Sequence, residues 1–204
     1  MDKIKNIVFD FGGVLMDWDP RYYYKDYFND EEKMEYFLSN IATLDWNAEQ
    51  DRGRRLSEGT QYLVDKHPDW EKEIRAYYDN WTVMLDGKID ENVEVLNKLS
   101  KTDYQLFGLT NWSDETFPYA LSNYPFFEHF DGKIVVSGTE KLIKPDPKIW
   151  EVLLERYSIK AEETVFIDDN INNIEMAKKL GFITIHLQPQ TVLKDELNKL
   201  GVEL

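Results

Sequence analysis

A short apolar run, Ile4, Ile7, Val8 and Phe9, stops at Asp10 and gives way at once to Gly12–Gly13. A strand with almost no polar alternation must be covered on both faces, which is the situation of a parallel strand in an α/β sheet. An acid and a glycine turn at its end then lie on the carboxyl edge of that sheet, where such folds present their functional groups. The rest of the chain obeys the same rule. Ile89, Val93, Leu96 and Leu99 share one helical face and precede a strand over 104–110. A weaker helix over 114–123 and a short strand over 133–137 follow. Asp146–Pro147 predicts a helix start, with Asp as N-cap and Pro at the first helical position. Ile149, Val152, Leu153 and Tyr157 give that helix its apolar stripe. The next strand, 164–167, ends at Asp168–Asp169. Ile171, Ile174, Ala177 and Leu180 then form a helix closed by Gly181, before a strand over 182–187 and a terminal helix over 192–200.

Strands alternating with helices predict an α/β fold, a Rossmann-like parallel sheet with helices on both faces. The first strand is separated from the second unit by roughly 75 residues, far beyond the roughly 2–6 residues of an ordinary βα connection. This segment holds nearly half of the chain's aromatic residues and reads as several helices. The expected organisation is a core of residues 1–16 and 88–204, interrupted by an inserted α-helical cap of residues 17–87.

With 24 Lys+Arg against 39 Asp+Glu the net charge is −15. So acidic a surface excludes nucleic acid and anionic membrane as partners, since both need clustered Lys and Arg. No stretch approaches the ~18 apolar residues of a membrane span, and the first residues lack the pattern of a secretory leader. Cysteine is absent, which removes disulfides, thiolate metal sites and a cysteine nucleophile. A cytoplasmic protein, monomeric or weakly dimeric, is expected.

Four features fall at strand ends or just beyond them: Asp10, Thr110–Asn111, Lys144 and Asp168–Asp169. Together they supply a carboxylate nucleophile, hydroxyl and amide donors, one cation, and a carboxylate pair for a hard metal. Those are the parts of phosphoryl transfer. Here the sequence resembles the haloacid dehalogenase-like (HAD) phosphohydrolase superfamily over essentially its whole length. Phe9–Asp10–Phe11–Gly12–Gly13–Val14 is similar to its first motif and Leu109–Thr110–Asn111 to its second. Lys144–Pro145–Asp146–Pro147–Lys148–Ile149 is similar to the third, and Phe166–Ile167–Asp168–Asp169–Asn170 to the fourth. The glycine-rich first motif resembles that of the glucose-1-phosphatase and epoxide hydrolase N-terminal phosphatase group.

The resemblance implies a Mg²⁺-dependent phosphatase acting on a small phosphorylated metabolite. Asp10 would be the nucleophile and a metal ligand, joined at the metal by the Gly12 carbonyl, Asp168 and Asp169. Thr110, the Asn111 backbone and Lys144 would hold the phosphoryl oxygens. Superfamily phosphatases usually carry a second Asp two positions after the nucleophile, which protonates the leaving group, a role worth typically 10²–10⁴-fold. Here that position is Gly12. Three readings follow: a leaving group that needs little protonation, such as a sugar 1-phosphate; a proton from the cap or from water, with Asp17 and Asp19 near the cap hinge as candidates; or a non-catalytic module that binds phosphometabolites or proteins. A phosphomutase also needs that acid, so Gly12 counts against it. The adjacent pair Asp168–Asp169 favours metal and phosphate over carbon–halogen displacement, because an acidic pair without a cation repels itself.

Within the cap, Tyr22, Tyr23, Tyr24, Tyr27 and Phe28 read as packing. Trp46, Arg52, Arg54 and Arg55 are candidates for reading a sugar or a second anion, although helical surfaces carry such arginines routinely. Trp112, next to Asn111, is expected at the pocket mouth. His67, His129 and His186 are too scattered for a metal triad.

Overall fold

The computed structural model describes residues 4–204. Five parallel strands make the main sheet: β1 (Asn6–Phe9), β4 (Gln105–Thr110), β5 (Ile134–Val136), β6 (Thr164–Asp168) and β7 (Ile183–His186). Their order is β5-β4-β1-β6-β7. The chain leaves β1 to build β4 and β5 on one side, then returns to place β6 and β7 on the other. The order therefore reverses at β1, and Asp10 follows β1 directly. In open α/β sheets this switch point is where ligands bind. The registers Phe9↔Gly108, Phe9↔Ile167 and Thr110↔Val136 bring the carboxyl ends of β1, β4, β5 and β6 level.

Alternate residues of each strand face opposite layers. Ile7, Phe9, Val165 and Ile167 pack with Leu96 of α6 (Asp90–Leu99) and Leu197 of α11 (Leu193–Lys199). Val8, Phe107, Leu109 and Phe166 pack on the other face with α9 (Pro147–Tyr157) and α10 (Ile171–Lys179), through Ile149, Leu153 and Ile174. Both faces are thus dry, which is why these strands read as continuous apolar runs. The helix starts are those expected. The Asp146 side chain accepts from the Lys148 N–H ahead of Pro147, and Asn170 accepts from the Asn172 N–H.

Between β2 (Met16–Trp18) and β3 (Leu85–Lys88) lie α1 (Arg21–Phe28), α2 (Glu31–Asn40), α3 (Leu44–Asp51), α4 (Leu56–Lys66) and α5 (Glu71–Asp79). They enclose a separate core of Tyr24, Phe37, Trp46, Leu63, Ile74 and Tyr77. β2 and β3 pair antiparallel as a two-stranded ribbon, and the expected boundaries at 16/17 and 87/88 fall within it. Strands of three and four residues with no alternation left no sequence signal for this ribbon.

Two elements and one side chain differ from expectation. The strand expected over 133–137 is shortened to β5, because Ser137 turns directly into the single-turn α8 (Ser137–Glu140). The helix expected over 114–123 starts only at α7 (Phe117–Asn123). Of the aromatic residues read as packing, Tyr24 is buried and Tyr27 packs against the rings of Tyr23, Tyr24 and Phe28, whereas Tyr22 is 40% exposed and its hydroxyl donates to Asp17.

Candidate active site

Asp10 is fixed by its neighbours in the chain. Its N–H donates to the Ile167 carbonyl at 2.9 Å, continuing the β1–β6 ladder by one step. Its Oδ1 accepts the Phe11 N–H at 2.7 Å. Phe11 is anchored in turn among Phe117, Phe127 and Phe130. Gly108 leaves room for that ring, since a Cβ there would stand 2.3 Å from Phe11 Cζ.

Lys144, which as a loop lysine would ordinarily be solvated, has a side chain closed to solvent. Its Nζ lies 3.0 Å from Asp10 Oδ1 and 2.7 Å from Asp168 Oδ2. Asp168 also accepts the Asn170 N–H at 2.8 Å and the Asn173 amide at 3.0 Å. Carboxylate oxygens of Asp10, Asp168 and Asp169 lie within 4.8 Å of one another. Burial is the main influence on the Asp10 carboxyl and pushes it up to about 8; Asp168 and Asp169 add to the rise and Lys144 opposes it. Asp169 is raised by burial and by Asp168. Burial alone would lower Lys144, but Asp10 and Asp168 outweigh it and hold the ammonium charged. Three carboxylates against one ammonium leave a concentrated excess of negative charge on hard oxygen donors. That donor set fits a small divalent cation such as Mg²⁺.

The phosphate-binding candidates behave differently from one another. Thr110, fully buried at the end of β4, has a hydroxyl without a hydrogen-bond partner. A buried hydroxyl in that condition is costly unless a ligand completes it. The Asn111 side chain is committed elsewhere. Its amide donates to the Lys144 carbonyl at 3.0 Å and its Oδ1 accepts the Lys144 N–H at 2.9 Å, so it braces the lysine loop and leaves only its backbone for phosphate. Gly13 is required by two constraints: its φ is +70°, and a Cβ would stand 2.4 Å from Asp169 Oδ2. Gly12 has open space where a side chain would go.

That space belongs to a cavity of about 120 Å³ between the core and the helical insertion. Trp112 lines it, as expected, together with Trp18, Tyr77, Trp81 and Asp51. The arginine and tryptophan candidates of the insertion are placed elsewhere. Trp46 is buried and its indole N–H donates to the Gly59 carbonyl. Arg52 pairs with Glu49, Arg54 with Gln50, and Arg55 with Asp114 and Glu115. Of the acids near the hinge, Asp17 accepts the Tyr22 hydroxyl and Asp19 accepts from Arg21, and neither lines the cavity. His186 Nε2 contacts the Asp169 carbonyl, outside the metal donor set.

Two residues that line or brace the site escaped the sequence reading. Asn173 holds Asp168 from one turn into α10, and a buried Asn on an otherwise apolar helix face was its only trace. Asp51 ends α3, and nothing in its local sequence distinguishes it from the other acids of the insertion.

The family model for haloacid dehalogenase-like hydrolases matches residues 4–181. The sesquiterpene phosphatase astK of Aspergillus oryzae is 25% identical over 199 residues, covering 96% of each chain. The D-ribitol-5-phosphate phosphatase of Bacteroides thetaiotaomicron is 24% identical, with 92% of each chain covered. A HAD family enzyme of Bacteroides thetaiotaomicron, solved in complex with magnesium and inorganic phosphate, superposes with a TM-score of 0.72 at 25% identity, covering 95% of this chain and 98% of that one. Among the described residues no helix is long and apolar enough to cross a membrane. Since the family match runs from the first strand through the insertion to the helix after Asp168–Asp169, the chain belongs to the haloacid dehalogenase-like hydrolases.

Proposed function

We propose that the protein is a Mg²⁺-dependent phosphatase that hydrolyses a small phosphomonoester through an aspartyl-phosphate on Asp10. The observation that carries this reading is the buried Lys144 ammonium bridging Asp10 and Asp168, within reach of a third carboxylate. Asp10, Asp168, Asp169 and the Gly12 carbonyl would hold the metal. When bound, Mg²⁺ offsets the excess negative charge of the cluster and of the phosphoryl oxygens. Asp10 attacks phosphorus through a carboxylate oxygen and the ester oxygen departs. Thr110, with its free hydroxyl, and the Asn111 backbone orient the phosphoryl group. Lys144 stabilises the charge in both steps, and water then hydrolyses the acyl-phosphate.

Residues 17–87 act in this reading as a cap that sets specificity. The cavity combines the rings of Trp18, Trp81 and Trp112 with the polar Asn47 and Ser113. That mixture suits a sugar or polyol, which offers C–H faces to aromatic rings and hydroxyls to amides. Sugar phosphates, a sugar 1-phosphate among them, are therefore the first substrates to test. The relatives, named as phosphatases of a sesquiterpene and of D-ribitol 5-phosphate, support the reaction type. Every group of the site comes from one chain, which supports a working monomer or weak dimer, and we place it in the cytoplasm.

Purified protein with Mg²⁺ is expected to release inorganic phosphate from at least one member of a panel of sugar, polyol and nucleoside phosphates. Binding without release would favour the non-catalytic module that Gly12 allows. Isomerisation seen by NMR would favour a phosphomutase.

A further inference from the structure

If Asp10 is the nucleophile, the departing ester oxygen still needs a proton, and Gly12 carries no group to give one. The space over Gly12 opens instead into the cavity, and among the residues lining that cavity Asp51 is the one carboxyl group. We propose that Asp51, supplied by the helical insertion, is the general acid and base of this phosphatase, acting across the cavity from the place where Gly12 has no side chain.

Several observations support this assignment. Asp51 is delivered by the last residue of α3, and the docking of that helix end on the core fixes where the carboxyl stands. The Ser137 hydroxyl donates to the Asp51 carbonyl at 2.5 Å and accepts the Trp112 N–H at 2.9 Å. Two residues on, Gly53 approaches Gly138 so closely that a Cβ would stand 2.7 Å from the Gly138 carbonyl oxygen. Nearby, the Leu56 N–H donates to Glu115 at 2.7 Å. Asp51 is thereby tied to the loop that follows Thr110, the loop that carries the phosphate-binding backbone. The carboxyl itself is oriented by the Asn47 amide, 3.0 Å from Oδ2.

Its proton affinity suits the task. Burial holds the Asp51 carboxyl up to about 7, only partly countered by the Ser113 N–H. A general acid with a value near the working pH is protonated when needed and reclaims its proton readily. The other titratable groups on this wall are Tyr77 and Tyr78 of α5, with Arg54 and Glu115 beside Tyr78. Burial pushes both tyrosines far up, so neither exchanges protons near neutrality. The buried Tyr77 hydroxyl has no partner and lines the same cavity, so it is free to meet an oxygen of the leaving group.

The step balances. As Asp10 forms its bond to phosphorus and the ester P–O bond breaks, the Asp51 proton moves to the departing oxygen, releasing a neutral alcohol. Asp51, now a carboxylate, then takes a proton from the water that attacks the aspartyl-phosphate. Inorganic phosphate leaves, Asp10 is restored as a carboxylate and Asp51 as an acid.

The test compares two nearly isosteric esters in the full-length protein with Mg²⁺. 4-Nitrophenyl phosphate releases a phenolate that departs without a proton, whereas 4-nitrobenzyl phosphate releases an alkoxide that requires one. Asp51→Asn is expected to lower the rate of aspartyl-phosphate formation from the benzyl ester by about 10²–10⁴-fold, while the burst of nitrophenolate from the phenyl ester stays within about threefold of wild type. Circular dichroism and thermal unfolding of the variant establish that it is folded. Equal losses on both esters, or no loss on either, overturn the assignment of Asp51. Absence of nitrophenolate release from the wild type, in the first turnover and in the steady state alike, would instead overturn the phosphatase reading on which it rests, so the two failures are distinct.

Discussion

At one end of the site Asp10, Lys144 and Asp168 come from three separate segments at the carboxyl edge of one parallel sheet and are buried, with both carboxylates within 3.0 Å of the one ammonium. At the other end Trp18, Asp51 and Tyr77 come from the ribbon and two helices of an insertion, and they enclose a cavity with few charges. The first end is specified by backbone register, since parallel pairing brings the strand ends level however many residues separate them. The second is specified by how a helical unit docks on the core, through Ser137, Gly53–Gly138 and Glu115. The contrast matches the two halves of the chemistry. Handling a phosphoryl group requires fixed charge, and accommodating different alcohols requires a wall that can change without disturbing it.

The sharpest way to break this division is at the nucleophile. Asp10→Asn is expected to lower kcat by on the order of 10⁴-fold or more while the protein stays folded, as phosphate release and circular dichroism will show. Retained activity would remove Asp10 from its role. Next in size is Lys144→Met, which leaves buried carboxylates without their cation. Urea denaturation without Mg²⁺ should show a loss of about 3–5 kcal/mol, with part of it recovered on adding Mg²⁺. Gly13→Ala forces a side chain into a left-handed backbone and against Asp169. It should cost about 1–3 kcal/mol and weaken the stabilisation by Mg²⁺ seen in thermal melts. In the insertion, Trp46→Phe removes the donor to the Gly59 carbonyl. The expected loss is about 1–2 kcal/mol with kcat unchanged, which separates packing there from catalysis at the sheet edge.

The last test sharpens the contrast through pH. The Asp51 carboxyl sits at about 7 in the folded protein, above its ordinary 3.8. The folded state therefore holds a proton that the unfolded chain has already lost, and wild-type stability falls as pH rises through that interval. Asn carries no such proton. Thermal melts should accordingly favour Asp51→Asn over wild type more at pH 8 than at pH 4.

The first end of the site was legible in the sequence because it is written locally, strand by strand. An apolar run ending in Asp10, the Thr110–Asn111 step, the Lys144–Pro145–Asp146–Pro147 turn and the Asp168–Asp169 pair each announce a strand end or a helix start. Parallel topology does the rest. What the sequence could not show there was second-layer support. The Asn111 side chain turned out to brace Lys144, and Asn173 to hold Asp168, because both depend on contacts between different connections. The other end was nearly illegible. Helical periodicity sorts an inner face from an outer one, yet it cannot say which helix end meets the core. Trp46 and the three arginines therefore drew attention that belonged to Asp51, one position before Arg52.

Ser137 carries a consequence for motion. One oxygen atom accepts from the loop after Thr110 and donates to the end of α3, while the insertion is covalently tethered only through the ribbon. With the close approach of Gly53 to Gly138 and the Leu56–Glu115 bond, that atom lies in the seam that any swing of the insertion about the ribbon has to open. Opening that seam would free the loop beside Asn111 and uncover the cavity together. A single hydroxyl thus joins the alcohol-binding wall to the phosphate-binding floor.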